Sequence, residues 1–315
     1  MVVQSPKDQN LSSALKEVYK SFLKGDFVLA ESQAINALSL DYDSQEVQDT
    51  LLCAKFWKER WNQLTKIVEV VFQADYLFTE YQGFRGRFVS KFTSSIEEGL
   101  HSLRQCVLGR CLSLYDQIKT QEGPRLETLL RLAKCHKTMG EYDLAISSLE
   151  QTNRLFKDEA EVLAEMADCY EMISENRLAK VLFREAFYIN PQKIDLTFLE
   201  SPMIRKLLET MGEHAHTAIM VKEWIPVYGV LKGVFNIKRE LKPMELAQLK
   251  QGIHSLRNEL QSGKKENNPL LPRLINKYFW LIDHYQATKE DRIKIEELLL
   301  NIKILDPLVF NLYTN

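Results

Sequence analysis

The chain has 315 residues, of which 45% are hydrophobic and 27% are charged, as in an ordinary folded protein. Its formal net charge of −2 argues against a dedicated nucleic-acid binder. Only 12 glycines and 9 prolines occur, which favours long helices, and no stretch approaches the roughly 18 continuous apolar residues of a membrane-spanning helix.

The first predicted element is a helical hairpin over residues 11–41. Gly25-Asp26-Phe27 marks its turn, because glycine permits the positive φ that is common at helix ends. Ala30 and Ala37 follow at the spacing of a second helix that packs closely on the first. Ser44 comes next and is a candidate N-cap for the following helix.

Residues 45–120 are predicted to be helical but irregular. The apolar positions of residues 45–75 have helical spacing, which fits either one long helix or two helices with a turn near Glu59–Asn62. Tyr76–Phe92 alternates aromatic residues with glycines and is predicted to be a loop with aromatic anchors. A further helix is predicted over about Thr93–Thr120.

The segments Leu129–Phe156 and Leu163–Pro191 repeat one another with a shift of 34 residues. Small residues recur where two paired helices would approach, and large residues recur beside them. The repeated packing positions are Leu132, Ala133, Gly140, Ala145 and Leu149, then Met166, Ala167, Tyr170, Ala179, Phe183, Ala186 and Pro191. Such a period is typical of stacked helix–turn–helix units, because one hairpin cannot bury its apolar face alone.

The turns inside the two repeated units carry different residues. Gly140-Glu141-Tyr142 forms the first turn, where glycine suits a left-handed conformation. Its counterpart is Ser174-Glu175-Asn176, where Asn176 is expected to tolerate the left-handed region. Asn190-Pro191 ends the second unit, because a residue before proline is driven out of the α region.

Beyond the second unit the strict period fails. Three irregular helices are predicted, at about Pro202–Gly212, Thr217–Asn236 and Pro243–Gln261. Ser201 is expected to cap the first of them, with Pro202 at its first position. The second is apolar around most of its circumference, which predicts burial on several sides. Pro226 would kink this helix or split it at Ile225.

Ser262–Pro269 is the clearest linker, and a last hairpin is predicted over residues 270–307. Its end, Leu305-Asp306-Pro307, is similar to Ile189-Asn190-Pro191. With the two ends aligned, the equivalent residues are Phe279 and Leu163, Ile282 and Met166, and Leu299 and Phe183. This degenerate unit could also cap a stack of repeats, since terminal repeats are atypical.

The second repeated unit resembles the tetratricopeptide repeat (TPR) family. The resemblance rests on Met166–Ala167, Tyr170, Ala179, Phe183, Ala186 and Pro191. It implies an all-α fold of antiparallel helical hairpins stacked in a right-handed solenoid, with irregular helices at 45–120 and 200–262. Three regions are expected: 1–120 with the first hairpin and long helices, 121–200 with two strict units, and 201–315 ending in the degenerate hairpin.

The TPR resemblance also implies where a partner would bind. In this family the ligand lies in a concave groove lined by the first helix of each unit. The positions expected to turn outward there, as a candidate partner-binding groove, are Arg131, Lys134, Lys137, Glu165, Asp168 and Glu171. The basic clamp with which some members hold a carboxyl terminus is not evident here.

No catalytic, cofactor or metal motif is recognised, so the prediction is a protein that is not an enzyme. His214 and His216 would point about 200° apart on a helix, so they could share a metal ion only within a turn. The cysteines form no C-x-x-C pair and are expected to be small buried hydrophobes in a reducing compartment, with a disulfide or redox role as the alternative. They are Cys53, Cys106, Cys111, Cys135 and Cys169.

Charge is distributed unevenly along the chain. Residues 141–200, the acidic block, hold 13 acidic and 6 basic residues, whereas residues 203–265, the basic block, hold 11 basic and 6 acidic residues. Such asymmetry can steer a charged partner or support association between copies of the chain. An ordinary solvated mixture of charges fits the same numbers.

Three functions remain open. The first is a non-enzymatic protein–protein interaction scaffold or adaptor; the others are a structural subunit of a large, self-associating assembly and a regulatory or RNA-associated repeat protein. Gly140–Pro191 and Trp224–Leu241 also resemble TPR proteins of the spirochaete flagellar-motor collar, which favours the assembly subunit. The N-terminus shows no signal-peptide pattern, which predicts a cytoplasmic location, with a membrane-associated complex as the alternative.

Overall fold

A computed structural model of the chain describes residues 6–92, 94–211, 218–262 and 268–314. These residues form helices joined by short connections, and they contain no β-strand, which confirms the all-α prediction. The chain divides into two compact units, Met1–Ser148 (unit 1) and Leu149–Asn315 (unit 2). The division falls inside a helix, whereas the breaks in the sequence pattern lie near residues 120 and 200.

Unit 1 is built from long helices with short turns. Its helices are α1 (Pro6–Lys24), α2 (Phe27–Leu40), α3 (Gln45–Leu64), α4 (Val70–Arg87), α5 (Glu97–Glu122), α6 (Leu126–Met139) and the first half of α7 (Tyr142–Leu155). Two short 3-10 turns, Val89–Lys91 and Ser94–Ile96, lie between α4 and α5. The α1–α2 pair is the hairpin predicted over residues 11–41. Ser44 occupies the N-cap of α3, although its side chain makes no capping hydrogen bond.

Unit 2 contains the remaining helices. They are α8 (Ala160–Met172), α9 (Asn176–Ile189), α10 (Pro202–Met211), α11 (Ala218–Leu231), α12 (Pro243–Ser262), α13 (Leu270–Ala287), α14 (Arg292–Leu305) and α15 (Pro307–Thr314). The side chain of Ser201 caps α10 as predicted, because its hydroxyl accepts a hydrogen bond from the Ile204 N–H at 3.0 Å. The last predicted hairpin corresponds to α13 and α14.

The prediction of a loop over Tyr76–Phe92 is wrong, because α4 continues to Arg87. Tyr81, Phe84 and Phe88 recur at intervals of three and four residues and therefore share one helix face. Phe84 lies 5.6 Å from the Trp57 ring, centroid to centroid, within an aromatic core. Each helical glycine costs about 1 kcal/mol, whereas each buried aromatic side chain contributes about 2 kcal/mol or more, so aromatic burial decides the structure.

The long helical pattern after Ser44 forms two helices, which was one of the two predicted alternatives. The break lies at residues 65–69, between α3 and α4, and not near Glu59–Asn62 as predicted. Trp57 and Trp61 explain the difference. Both indoles pack against Phe27, with ring centroids 6.3 Å and 5.0 Å away, so α3 must extend past residue 61 to make both contacts.

Four helical hairpins share one turn geometry. A residue one or two positions after the first helix has positive φ in each, namely Gly25 (+73°), Gly140 (+83°), Ser174 (+69°) and Lys289 (+54°). The next residue donates its N–H to a carbonyl five residues back, as from Asp26 to Ser21, Glu141 to His136, Glu175 to Tyr170 and Glu290 to Tyr285. In the second sequence repeat, Asn176 was expected to adopt this conformation. Ser174 adopts it instead, and Asn176 begins α9.

The second helices of these hairpins are also alike. α2, α7, α9 and α14 each span 14 residues. Three of them end in the same extended conformation, with φ and ψ of −152° and 96° at Asp41, −162° and 96° at Asn190, and −151° and 98° at Asp306. The local geometry therefore repeats even where the sequence repeat is weak.

The turn of the last hairpin is one residue longer than the turn after α8. The backbone carbonyls of Tyr285 and Tyr170 accept the equivalent turn hydrogen bond. Helices α13 and α8 therefore align with a shift of 115 residues. The predicted equivalence of Phe279 and Ile282 to Leu163 and Met166 used a shift of 116 and is therefore wrong by one residue; Tyr278 and Leu281 take those places. Because the extra residue lies in the turn, the predicted equivalence of Leu299 and Phe183 is unaffected.

Helix α11 continues through Pro226 and is not split at Ile225. The prediction that it is buried on several sides is confirmed for Trp224, Ile225, Val227 and Tyr228, each at most 9% exposed. The helix ends at Leu231 instead of Asn236, because Phe235 folds back and donates its N–H to the Gly229 carbonyl. A Cβ at Gly229 would lie 2.1 Å from the Phe235 ring.

Candidate interaction surfaces

Helix α6 carries the three cations that were predicted for a partner-binding groove. Lys134 and Lys137 are buried, at 5% and 1% exposed, so the expectation that they turn outward is wrong. Nine of the 14 residues of α6 are buried, which leaves this helix little outward face. Arg131 is half-buried, with its guanidinium 4.7 Å from the Phe78 ring centroid, in cation–π contact.

Helix α8 carries the three predicted carboxylates. Glu165 and Asp168 are buried, at 2% and 0% exposed, so they do not turn outward either. Both oxygens of Asp168 accept the Glu200 N–H at 3.0 Å, and one also accepts the Ser201 N–H at 2.7 Å. Glu171 is half-buried; it accepts the Met203 N–H at 2.9 Å and a hydrogen bond from the Ser201 hydroxyl.

Two of the predicted groove carboxylates therefore serve the start of α10. The first N–H groups of a helix have no partner inside the helix, and negative charge near them is favourable. Asp168 and Glu171, one helical turn apart on α8, supply acceptors for the backbone before and inside α10. Contact of the six predicted groove residues with a partner stays a prediction. Asp168 is buried and already accepts backbone hydrogen bonds, so it is not exposed for such a contact.

The predicted repeat-packing residues are buried, apart from Tyr170 and the turn residue Gly140. At most 1% exposed are Ala133, Ala145, Leu149, Ala167, Ala179, Phe183 and Ala186; Leu132 and Met166 are 4% and 6% exposed, and Pro191 is also buried. Tyr170 is half-buried and donates its hydroxyl proton to Glu150 at 3.0 Å. Burial raises the pKa of Tyr170, so the phenol remains a donor at neutral pH.

Unit 2 contains a buried polar cluster that the sequence did not reveal. Arg184 on α9 forms an ion pair with Asp283 on α13, and its guanidinium also donates to the Ile237 carbonyl at 2.7 Å. The Trp280 ring lies 4.7 Å from the Arg184 guanidinium. The Leu241 N–H donates to Nδ1 of His284 at 3.1 Å. Together these contacts fix the segment between α11 and α12 against α9 and α13.

The acidic and basic blocks of the sequence meet inside unit 2. Arg239 from the basic block pairs with Glu185 from the acidic block at 3.2 Å. Burial raises the pKa of Glu185, and the Arg239 charge opposes that rise. Arg239 also binds Glu245, so its charge is shared between two carboxylates. Association of two copies through the opposed blocks stays a prediction. Because Arg239 and Glu185 pair within one chain, fewer charges are left to drive such association than the residue counts of the two blocks suggest.

The C-terminal helices expose apolar side chains. On α14, Ile293, Leu300 and Ile304 are 61%, 57% and 73% exposed, and their spacing of seven and four residues places them on one face. On α15, Leu308 and Leu312 are also exposed. We call these five residues the C-terminal apolar face. Exposed apolar side chains that share one helix face, as those of α14 do, are typical of protein contact sites.

The cysteines follow the expected burial, with one exception. Cys53, Cys111, Cys135 and Cys169 are buried, Cys106 is half-buried, and all are free thiols. Burial is the largest cause of the raised pKa of Cys135, which also contacts the Cys111 thiol. A raised pKa disfavours the reactive thiolate.

Membrane spans and metal sites can be assessed only for the described residues. Within those ranges every helix is too short or too polar to cross a lipid bilayer. Across the same residues, no group of three or more His, Cys, Asp or Glu side chains is placed to hold a metal ion. His214 and His216 lie outside the described residues.

A scan against protein-family models gives no match to this chain. A search of curated proteins gives no significant match.

Proposed function

We propose that the protein is a non-enzymatic protein–protein interaction scaffold built on TPR-like hairpins. The observation that carries the proposal is the shared hairpin geometry: the same positive-φ turn in four hairpins, each followed by a second helix of 14 residues. The sequence period of 34 residues supports stacking of such hairpins in a right-handed solenoid. Stacked hairpins present extended surfaces that suit protein partners.

The C-terminal apolar face supports the same proposal and gives it a test. Leu300→Glu with Ile304→Glu places two charges on this face, where the native side chains are more than half exposed. The wild-type chain and this double variant are immobilised, and the proteins that each retains from native cell extract are identified. We expect the double variant to lose a defined set of partners while its helicity by circular dichroism is unchanged.

Met244→Glu is the matched control, because Met244 is 74% exposed but lies on α12, away from the C-terminal apolar face in the sequence. The control should retain the partners of the wild-type chain. Equal retention by all three proteins would exclude this face as the contact site. If the wild-type chain, monodisperse by light scattering, retains no protein specifically, the scaffold proposal itself fails.

A further inference from the structure

An open groove with a volume of about 540 Å³ lies in unit 1, along α3 and beside the end of α4. Leu52, Lys55 and Phe56 line it from α3, and Arg87 and Phe88 line it from the end of α4. We call it the α3 groove. The three α3 residues are spaced by three and four positions from Leu52, so they share one helix face. The lining combines apolar side chains with cations, and the existing partners of these groups determine what the groove can bind.

The α3 groove exists because α4 is too short to cover α3. The two helices run antiparallel, since Arg60 pairs with Glu80 at 3.0 Å. Phe56, one turn earlier on α3, packs against Phe84, one turn later on α4, with ring centroids 5.2 Å apart. Helix α4 ends within one further turn, so it does not extend along the first half of α3. Leu52 lies in that half and is 38% exposed.

The charge that the α3 groove offers to a partner is positive. Lys55 and Arg87 are exposed, and neither forms an ion pair with any residue in the described ranges. Glu59 is a carboxylate in the lining, but it pairs with Arg60 at 3.1 Å, so its charge is matched. Two cations therefore lack a carboxylate, and a partner with acidic side chains would be complementary to them.

The course of the α3 groove suits a helix. Its lining on α3 runs from Gln48 to Arg60, a length of roughly 18 Å along the helix axis. A second helix can pack its rows of side chains into such a groove. An extended peptide would gain less, because the backbone groups of α3 bond within the helix and cannot pair with a strand. A helical partner presents apolar side chains one turn apart, the same spacing as Leu52 and Phe56.

The aromatic rings of the α3 groove favour a protein partner over a nucleic acid. The Arg60 guanidinium lies over the Phe56 ring, 3.6 Å from its centroid. The Phe88 ring is stacked on the Phe92 ring, with centroids 6.2 Å apart. These contacts use one face of each ring within the protein, whereas binding of single-stranded nucleic acid needs aromatic faces that are free to stack on bases.

We propose that the α3 groove binds an acidic amphipathic helix of a partner protein. Apolar side chains of that helix contact Leu52, Phe56 and Phe88, and its carboxylates pair with Lys55 and Arg87. The groove lies within one antiparallel helix pair, whereas the TPR resemblance places ligands across the first helices of successive hairpins. The proposal rests on the proposed scaffold function and gives it a second contact surface, on different helices from the C-terminal apolar face.

Fluorescence anisotropy of the full chain tests the groove, with a labelled synthetic helical peptide of about 18 residues, or five turns, as the probe. Its leucines form one stripe, and glutamates lie on both sides of the stripe. A comparison peptide carries lysine in place of each glutamate. We expect the acidic peptide to bind with a Kd on the order of 10 µM and the basic peptide to bind at least about tenfold more weakly. Added salt should weaken the binding of the acidic peptide.

Lys55→Glu with Arg87→Glu reverses the open charge of the groove at two exposed positions. This double variant should bind the acidic peptide about tenfold or more weakly and should bind the basic peptide more tightly than the acidic one. Lys16→Glu with Arg110→Glu is the matched control, because it makes the same change in net charge at exposed residues of α1 and α5 that do not line the groove. The control should bind the acidic peptide as the wild type does.

Leu52→Ser tests the apolar part of the groove. It should weaken binding of the acidic peptide by about threefold or more, because apolar contact area is lost, while the salt dependence of binding stays as in the wild type. Circular dichroism should show the helicity of the wild type in all variants. Unchanged binding by Leu52→Ser would overturn the apolar contact.

Three results would overturn the proposal. They are equal binding or no binding of the two peptides by the wild-type chain, equal losses in the two double variants, and tighter binding of a labelled oligouridine that the Lys55→Glu, Arg87→Glu variant loses. The last result would assign the groove to nucleic acid. Because the peptides are synthetic, a failure here leaves the extract experiment on the C-terminal apolar face, and with it the scaffold function, standing.

Discussion

Asp168 is a fully buried carboxylate that accepts hydrogen bonds from the Glu200 and Ser201 N–H groups, just before α10. Removing the carboxylate would leave two backbone donors without their acceptor in a site that water cannot easily enter. Asp168→Ala should therefore lower the free energy of unfolding by roughly 2 kcal/mol or more. Urea denaturation followed by circular dichroism measures the change.

Asp195→Ala is the control for Asp168, since Asp195 is exposed and lies in the same connection before α10. Its carboxylate accepts the Thr197 N–H at 3.0 Å, but water can replace it there. The control should cost no more than about 0.5 kcal/mol. Equal effects of the two substitutions would mean that burial does not set the cost of losing these acceptors.

Tyr313 should make stability depend on pH in the alkaline range. Burial raises its pKa to about 12, from an ordinary value of 10.0, with the Asp283 charge adding to the rise. A group whose pKa is raised in the folded state contributes stability below pH 10 that is lost as pH rises through about 12. Tyr313→Phe removes this loss, so the variant should match the wild type at pH 7 and exceed it at pH 11–12.

The size of the Tyr313 effect is modest, because the side chain is only half-buried and solvent screens its charge. We expect a difference on the order of 1 kcal/mol at pH 12, measured by urea unfolding at both pH values. The Phe279 ring stacks on Tyr313 at 4.7 Å, and Phe would keep this contact, which makes the comparison clean. Parallel pH profiles for the two proteins would show that Tyr313 does not titrate with a raised pKa.

At the scale of an element, the end of α11 depends on the absence of a side chain at Gly229. A Cβ there would lie 2.1 Å from the Phe235 ring, which is 1% exposed and has little room to move. Gly229→Ala should therefore destabilise the protein by about 1–3 kcal/mol, despite the higher helix propensity of alanine. Thermal melting or urea denaturation measures this change.

Gly83→Ala is the matched control, because Gly83 lies inside α4 and a Cβ there meets nothing within 4 Å. This change should stabilise the protein by about 0.5–1 kcal/mol, through helix propensity alone. The two substitutions are chemically identical, so opposite signs would isolate the close approach of Phe235. A stabilising Gly229→Ala would show that Phe235 can move aside.

The elements that could be predicted from sequence are those whose signals are local. The turn at Gly140 is set by one residue's conformational freedom, and the Ser201-Pro202 start of α10 is set by adjacent residues. The loop predicted over Tyr76–Phe92 is wrong because the helical spacing of the aromatics outweighs the glycines. The α3–α4 break was misplaced because the contact of Trp61 with Phe27 is a tertiary effect that periodicity does not show.

For the whole molecule, the limit of sequence reasoning lies in contacts between distant residues. Arg184 and Asp283 are 99 residues apart, and Lys277 and Tyr188 are 89 residues apart, so no periodic pattern links them. The candidate groove was carried over from a family resemblance that fixes which helix a residue lies on, but not how much of that helix is buried. That is why Lys134 and Asp168 were expected at the surface.

The left-handed residues at the turns also limit the thermal stability of the protein. Asp158, Ser174 and Lys289 have positive φ without being glycine, and each such residue costs about 1–2 kcal/mol. Together they amount to a sizeable part of the roughly 5–15 kcal/mol that keeps a typical domain folded. Glycine at these turns would relieve that strain without altering the C-terminal apolar face, so a heat-resistant form would keep that surface intact.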